Sequence, residues 1–135
     1  MGRITKREEN KSSRIKPTTS ETGSPQVEHP VFCFRYIQNS HCLSSCDKKE
    51  KAAFVSQLHL LSKLEWKDIH PAPKHGHGTE KISQSSIKKA MPQQVSPDTQ
   101  LYALRFQGKK AFVGYKTRNI FHILWIDRSF NLYSH

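Results

Sequence analysis

Three groups of residues carry side chains able to move a proton or hold an anion. One is the stretch KHGHGTEK (74–81), where Lys74, His75, His77 and Lys81 sit on a backbone made pliable by Gly76 and Gly78. Another is the set Arg105, Lys109, Lys110, Lys116 and Arg118, spread over LRFQGKKAFVGYKTR (104–118). The last is the pair Tyr133 and His135, hung from the end of the apolar run IFHILWID (120–127). Imidazoles titrate near neutrality and can give or take a proton. Arginine is a permanent, bidentate clamp for phosphate, and tyrosine or lysine can join proton transfer where neighbouring cations lower their pKa. Cleavage of RNA through its 2′-hydroxyl needs a base for that hydroxyl, positive donors for the phosphorane and an acid for the departing 5′-oxygen. The three groups meet each need, with no metal and no cofactor. The expectation is that they converge in one cationic pocket at one edge of a sheet.

Each residue taken alone has a plainer reading. His75 and His77 suit a polar loop, and a lone Gly-x-Gly is too weak a signal for a phosphate cradle. His122 lies within an apolar strand and reads as a hydrogen-bonded core histidine, while Asp127 either orients a base or ends the strand. Lys48, Lys49, Lys51, Lys88 and Lys89 read as solvated helix faces. His41, Cys42 and Cys46 suggest zinc only superficially, because a second closely spaced pair is missing and Cys33 lies in an apolar strand. The three cysteines are an odd set, and no apolar segment follows the early basic residues, so the expectation is a reducing cytoplasm. No run is long enough to span a bilayer.

Charge points the same way as the candidate residues. The chain has 135 residues with 22 Lys/Arg against 11 Asp/Glu, and residues 30–135 hold 16 of the former against 7 of the latter. The excess therefore belongs to the segment that can fold, and a positive potential on so small a body favours polyanionic partners, nucleic acid first. Residues 1–29 hold few apolar side chains among Lys, Glu, Ser and Thr, and read as a disordered arm.

The elements that must position these groups follow from periodicity. VFCFRYI (31–37) reads as a strand. Asp47 with Glu50 three residues later marks a capping box, and Phe54, Leu58, Leu61 and Leu64 continue at helical spacing, predicting a helix over 47–64. Residues 65–79 read as a loop, 82–90 as a second helix ended by Pro92. Three strands at 101–107, 111–117 and 120–127, joined by short turns, form antiparallel hairpins. The expectation is an α+β fold: a curved, mostly antiparallel four-stranded sheet with two helices on one face and the last strand central.

The strand VFCFRYI, the helix ending in LSKLEW, the basic loop KHGHGTEK, the hairpin LRFQGKKAFVGYKTR and the terminal LYSH together resemble the RelE/ParE toxin superfamily, over about residues 31–135. The hairpin and the aromatic and histidine tail look most like the RelE and YoeB ribonucleases. The resemblance implies the toxin of a type II toxin–antitoxin module, an endoribonuclease that cuts messenger RNA on the ribosome, in the cytoplasm, and is neutralised by a cognate antitoxin. Carried over by position, Arg105 matches the sheet arginine that contacts phosphate, Tyr133 and His135 match the terminal pair, and Lys74, His75, His77 and Lys81 occupy the basic loop. Two alternatives stand beside it. One is a ParE-like inhibitor of DNA gyrase without catalysis, against which Tyr133 and His135 speak. The other is a non-catalytic nucleic-acid-binding domain, whose signature would be aromatics exposed on a strand face.

Overall fold

The computed structural model describes residues 27–72 and 77–134. In chain order the elements are β1 (Val31–Cys33), α1 (Lys48–Ser62), α2 (Trp66–Ile69), β2 (Thr79–Ile82), β3 (Leu101–Gln107), β4 (Lys110–Thr117) and β5 (Ile120–Asp127). The fold is α+β. The strands form one sheet in the order β1-β5-β4-β3-β2, antiparallel except for β1, which runs parallel to β5 with Val31 opposite Ile120. A parallel neighbour cannot be reached through a tight turn. The chain therefore leaves the sheet after β1, lays its helices over one face, and returns through β2 and β3.

α1 starts where its cap dictates. Asp47 accepts from the Glu50 backbone N–H at 2.8 Å and the Glu50 carboxylate accepts from the Asp47 N–H at 2.8 Å, satisfying two donors that the first turn leaves open. Phe54 and Leu61 face the sheet and join Trp66 and Ile69 of α2 against Leu104, Phe112, Phe121, Ile123 and Ile126, with Leu58 and Leu64 at the margin. This helix-covered side is called the front face below. On the back face, Ile87 and Val95 from the segment between β2 and β3, with Leu132 and Tyr133 from the tail, cover Leu101, Ala103, Val113, Leu124 and Trp125. β5 thus lies inside the sheet, between β1 and β4, and is covered on both faces, as its continuous apolar run requires, although the middle strand of the five is β4 and not the last strand as expected.

Three expectations need correction. The sheet has a fifth strand, β2, inside what reads as a loop and helix. The expected helix over 82–90 is replaced by one 3₁₀ turn at Gln84–Ser86. Its serines bond locally instead: Ser83 Oγ lies 2.8 Å from Ser85 Oγ, and Ser86 Oγ donates to the Ser83 carbonyl at 2.7 Å. Gln84 Nε2 then donates to the carbonyls of Ser96 and Thr99 at 2.8 and 2.7 Å, fastening the segment as a strap. The strand expected over 31–37 stops at Cys33, because the Phe34 carbonyl accepts from Ile37 N–H at 3.2 Å in a tight turn. Helix α2, not foreseen, is a single turn around Trp66, whose indole N–H donates to the Asn119 carbonyl at 2.9 Å.

A register slip between Val113 and Gly114 bends the sheet at β4 and β5. Gly114 is needed there: a Cβ would run into the carbonyl of His122 on the next strand.

Candidate functional site

A cleft of about 320 Å³ opens on the front face, lined by His70, Thr79, Lys81 and Tyr102. Each lining group is fixed by its element. Trp66 and His70 stand one helical turn apart, so their rings stack with centroids 5.2 Å apart and planes at 25°. Thr79 and Lys81 are two apart on β2 and share a face. Lys81 lies opposite Tyr102, and Tyr102 opposite Gly114. Two residues beyond Gly114 on the same face, Lys116 reaches over the Trp66 ring at 4.4 Å and meets His70 Nε2 at 3.0 Å.

That contact determines the imidazole's tautomer. A lysine ammonium only donates, so Nε2 accepts. The ring proton then sits on Nδ1, from which it is donated to Thr79 Oγ1 at 3.0 Å. Burial, then the charges of Lys116 and Lys81, push the His70 pKa down to about 4, so the ring is neutral at physiological pH. Burial likewise lowers the pKa of Lys116. A cationic pair beside a neutral imidazole and two hydroxyls suits an anion, and the charge of half-buried Lys116 is less screened by water than that of exposed Lys81.

The structure divides the expected site residues between two faces. Lys81 and Lys116 line or border the front cleft. Arg105 lies opposite Ala111 on the back face, since it alternates with Leu104 and Phe106. Tyr133 is also on the back, 3% exposed. Its burial, helped by the charges of Glu80 and Asp127 and opposed by Arg105, pushes the phenol up to about 12, the reverse of the activation expected. Among the described residues, Arg105 and Tyr133 therefore do not share a pocket with Lys81: the strands' two-residue period sends Arg105 away from Lys81 and Lys116.

The remaining candidates are placed differently again. Lys110 Nζ is engaged by Glu50 at 2.8 Å and Gln107 Oε1 at 3.0 Å. Arg118 pairs with Glu28 at 3.3 Å, Lys109 is exposed in the turn between β3 and β4, and His77 is half-buried just before β2. Lys74, His75 and His135, with the first 26 residues of the expected arm, lie outside the described residues.

His70, Thr79 and Tyr102 were not singled out from sequence. The i, i+4 spacing of Trp66 and His70 was the available signal, hidden because a single-turn helix leaves no periodic trace. Among the described residues no group of three His, Cys, Asp or Glu is placed to hold a metal ion, and no helix is long and apolar enough to cross a membrane. No family model, curated protein or solved structure matches the chain.

Proposed function

We propose that the chain binds RNA through its phosphate backbone and cleaves it in the front cleft, using Lys81, Lys116 and His70. The observation that carries this reading is the 3.0 Å contact between Lys116 Nζ and His70 Nε2 at a cleft rimmed by a second ammonium, Lys81. A phosphodiester between the two ammoniums offsets the charges that hold the imidazole's pKa down, raising its basicity when substrate is present. The phosphate draws Lys116 Nζ off Nε2, and the freed Nε2 lone pair takes the proton of the 2′-hydroxyl as the 2′-oxygen bonds to phosphorus and the bond from phosphorus to the 5′-oxygen breaks. Lys116, its pKa already lowered, gives that oxygen a proton, and Lys81 balances the charge on the phosphorane. The products are a 2′,3′-cyclic phosphate and a 5′-hydroxyl. Proton return from His70 to Lys116 along their shared hydrogen bond restores both groups.

The order strand, helix, helix and then four antiparallel strands, one more than expected, together with the basic hairpin, supports reading the chain as a RelE/ParE-type toxin acting on messenger RNA and covered by an acidic antitoxin segment. On this reading the proton-transfer groups are His70 and Lys116, with Tyr133 a packing residue. The burial of Tyr133 also favours a second reading, a non-catalytic ParE-like gyrase inhibitor, since the tail no longer argues for catalysis.

The test is cleavage of a defined message with and without ribosomes, with analysis of product ends. Lys81→Ala and Lys116→Ala are expected to lower the rate at least about 100-fold, and Tyr133→Phe to leave it within about twofold. Unchanged cleavage by the Lys81→Ala, Lys116→Ala double variant, or 5′-phosphate ends, overturns the mechanism. Intact RNA with inhibited supercoiling selects the gyrase reading.

A further inference from the structure

On the back face, opposite to the cleft although Tyr115 directly precedes Lys116 on β4, three rings form a row that the proposed chemistry does not use. Tyr115 and His122 are register partners on β4 and β5, and their rings stack with centroids 4.7 Å apart and planes at 24°. Tyr36, from the turn after β1, continues the row with its centroid 5.8 Å from His122. The front-face rings Phe54, Phe112, Phe121 and Trp66 are fully buried, and several of their contacts are edge to face. Tyr36, His122 and Tyr115 stay half-exposed at the margin of the back-face core.

Positive charge lies beside Tyr36 and elsewhere on the same face. The Arg35 guanidinium lies 5.6 Å from the Tyr36 ring centroid. The strap packed on the same face through Ile87 and Met91 carries Lys88 and Lys89, both exposed. Burial lowers the pKa of His122, so at neutral pH its ring is an uncharged aromatic plane between two phenols. Partly exposed aromatic rings beside cations that suit a phosphate chain are how single strands are held without sequence readout.

We propose that Tyr36, His122 and Tyr115 form a stacking platform for unpaired bases of single-stranded RNA, with Arg35, Lys88 and Lys89 following the backbone. This rests on RNA being the substrate of the front cleft, and adds that the strand is gripped on both faces of the sheet and must be single-stranded where it crosses the back. Base-paired RNA, whose rings are already stacked, has no faces to offer.

The experiment measures binding of a labelled RNA decamer to the full chain by fluorescence anisotropy, alongside cleavage of a dinucleotide too short to reach the back face. Tyr36→Ala and Tyr115→Ala are each expected to weaken decamer binding about 10-fold and leave dinucleotide cleavage unchanged. Tyr36→Phe and Tyr115→Phe, which keep the ring, are expected to bind within about twofold of the unaltered chain. A decamer with abasic positions should bind the unaltered chain no better than the intact decamer binds the double alanine variant. Photocrosslinking of 5-iodouracil RNA to Tyr36, His122 or Tyr115 tests the same surface with no substitution. Equal binding by intact and abasic decamers, or crosslinks confined to the front face, overturns the platform while dinucleotide cleavage keeps the cleft reading standing. Loss of cleavage and binding for every RNA tried overturns both, and tighter binding of a DNA decamer of the same sequence, measured in parallel, overturns the assignment to RNA.

Discussion

His70 shows how a single side chain acquires a role from its surroundings. Its ordinary pKa near 6.5 falls to about 4 because burial and two ammoniums disfavour the imidazolium. The unfolded chain therefore binds more protons than the folded one between those values, and stability rises with pH across that window. The contribution is fully present above about pH 6.5 and is lost as pH falls towards about 4. His70→Gln, which offers Lys116 an acceptor and does not titrate, is expected to flatten the urea-unfolding midpoint between pH 6.5 and 4. A midpoint that falls across this window as steeply in the variant as in the unaltered chain would show that His70 is not held neutral by its neighbours. Tyr133 illustrates the opposite outcome: burial makes it a weaker acid, the reverse of the activation its position in the sequence suggested.

At the scale of elements, the legible parts were those whose causes are local. The capping box of Asp47 and Glu50, the apolar spacing from Phe54 to Leu64 and the two hairpins each depend on residues a few positions apart, and each is found where expected. β2 was not legible, because TEKI is polar on one side and owes its strand conformation to pairing with β3, from Thr79 opposite Leu104 to Ile82 opposite Leu101. The strap at 83–100 likewise follows from local serine bonds and from the reach of Gln84 to distant carbonyls rather than from periodicity. The bulge at Gly114 is a point where element geometry serves the site, since Lys116 follows it by two residues. Gly114→Ala forces its methyl group against the His122 carbonyl, and thermal unfolding is expected to show a loss of about 1–3 kcal/mol. A variant as stable as the unaltered chain would mean that β4 and β5 can part without cost at this position.

The whole molecule is tied together by Glu50, which joins three distant parts of the chain. It closes the α1 cap, accepts from Lys110 of β4 at 2.8 Å and from Arg128 beyond β5 at 2.8 Å, and is only 1% exposed. Those bonds, Arg128 first, then Lys110 and the Asp47 amide, lower its pKa from 4.5 to about 2. A depressed carboxylate contributes stability that is present above pH 4.5 and is lost as pH falls towards 2, a window below that of His70. Glu50→Gln is expected to lower stability at pH 7 by about 1–3 kcal/mol and to remove most of the dependence between pH 4.5 and 2, read from chemical denaturation across pH. An unchanged acid transition would show that the three-part junction is not what holds the helix to the sheet.

The amino-acid sequence by itself determined the helix with its cap, the hairpins, a last strand covered on both faces and an excess of positive charge on residues 30–135, because each follows from neighbours along the chain or from simple counting. Only the tertiary structure decided which cations meet. Strand pairing puts Lys81 and Lys116 on one face with His70, and Arg105 with Tyr133 on the other. Side chains alternate along a strand, so a face depends on the register against partners tens of residues away. No local pattern carries that information.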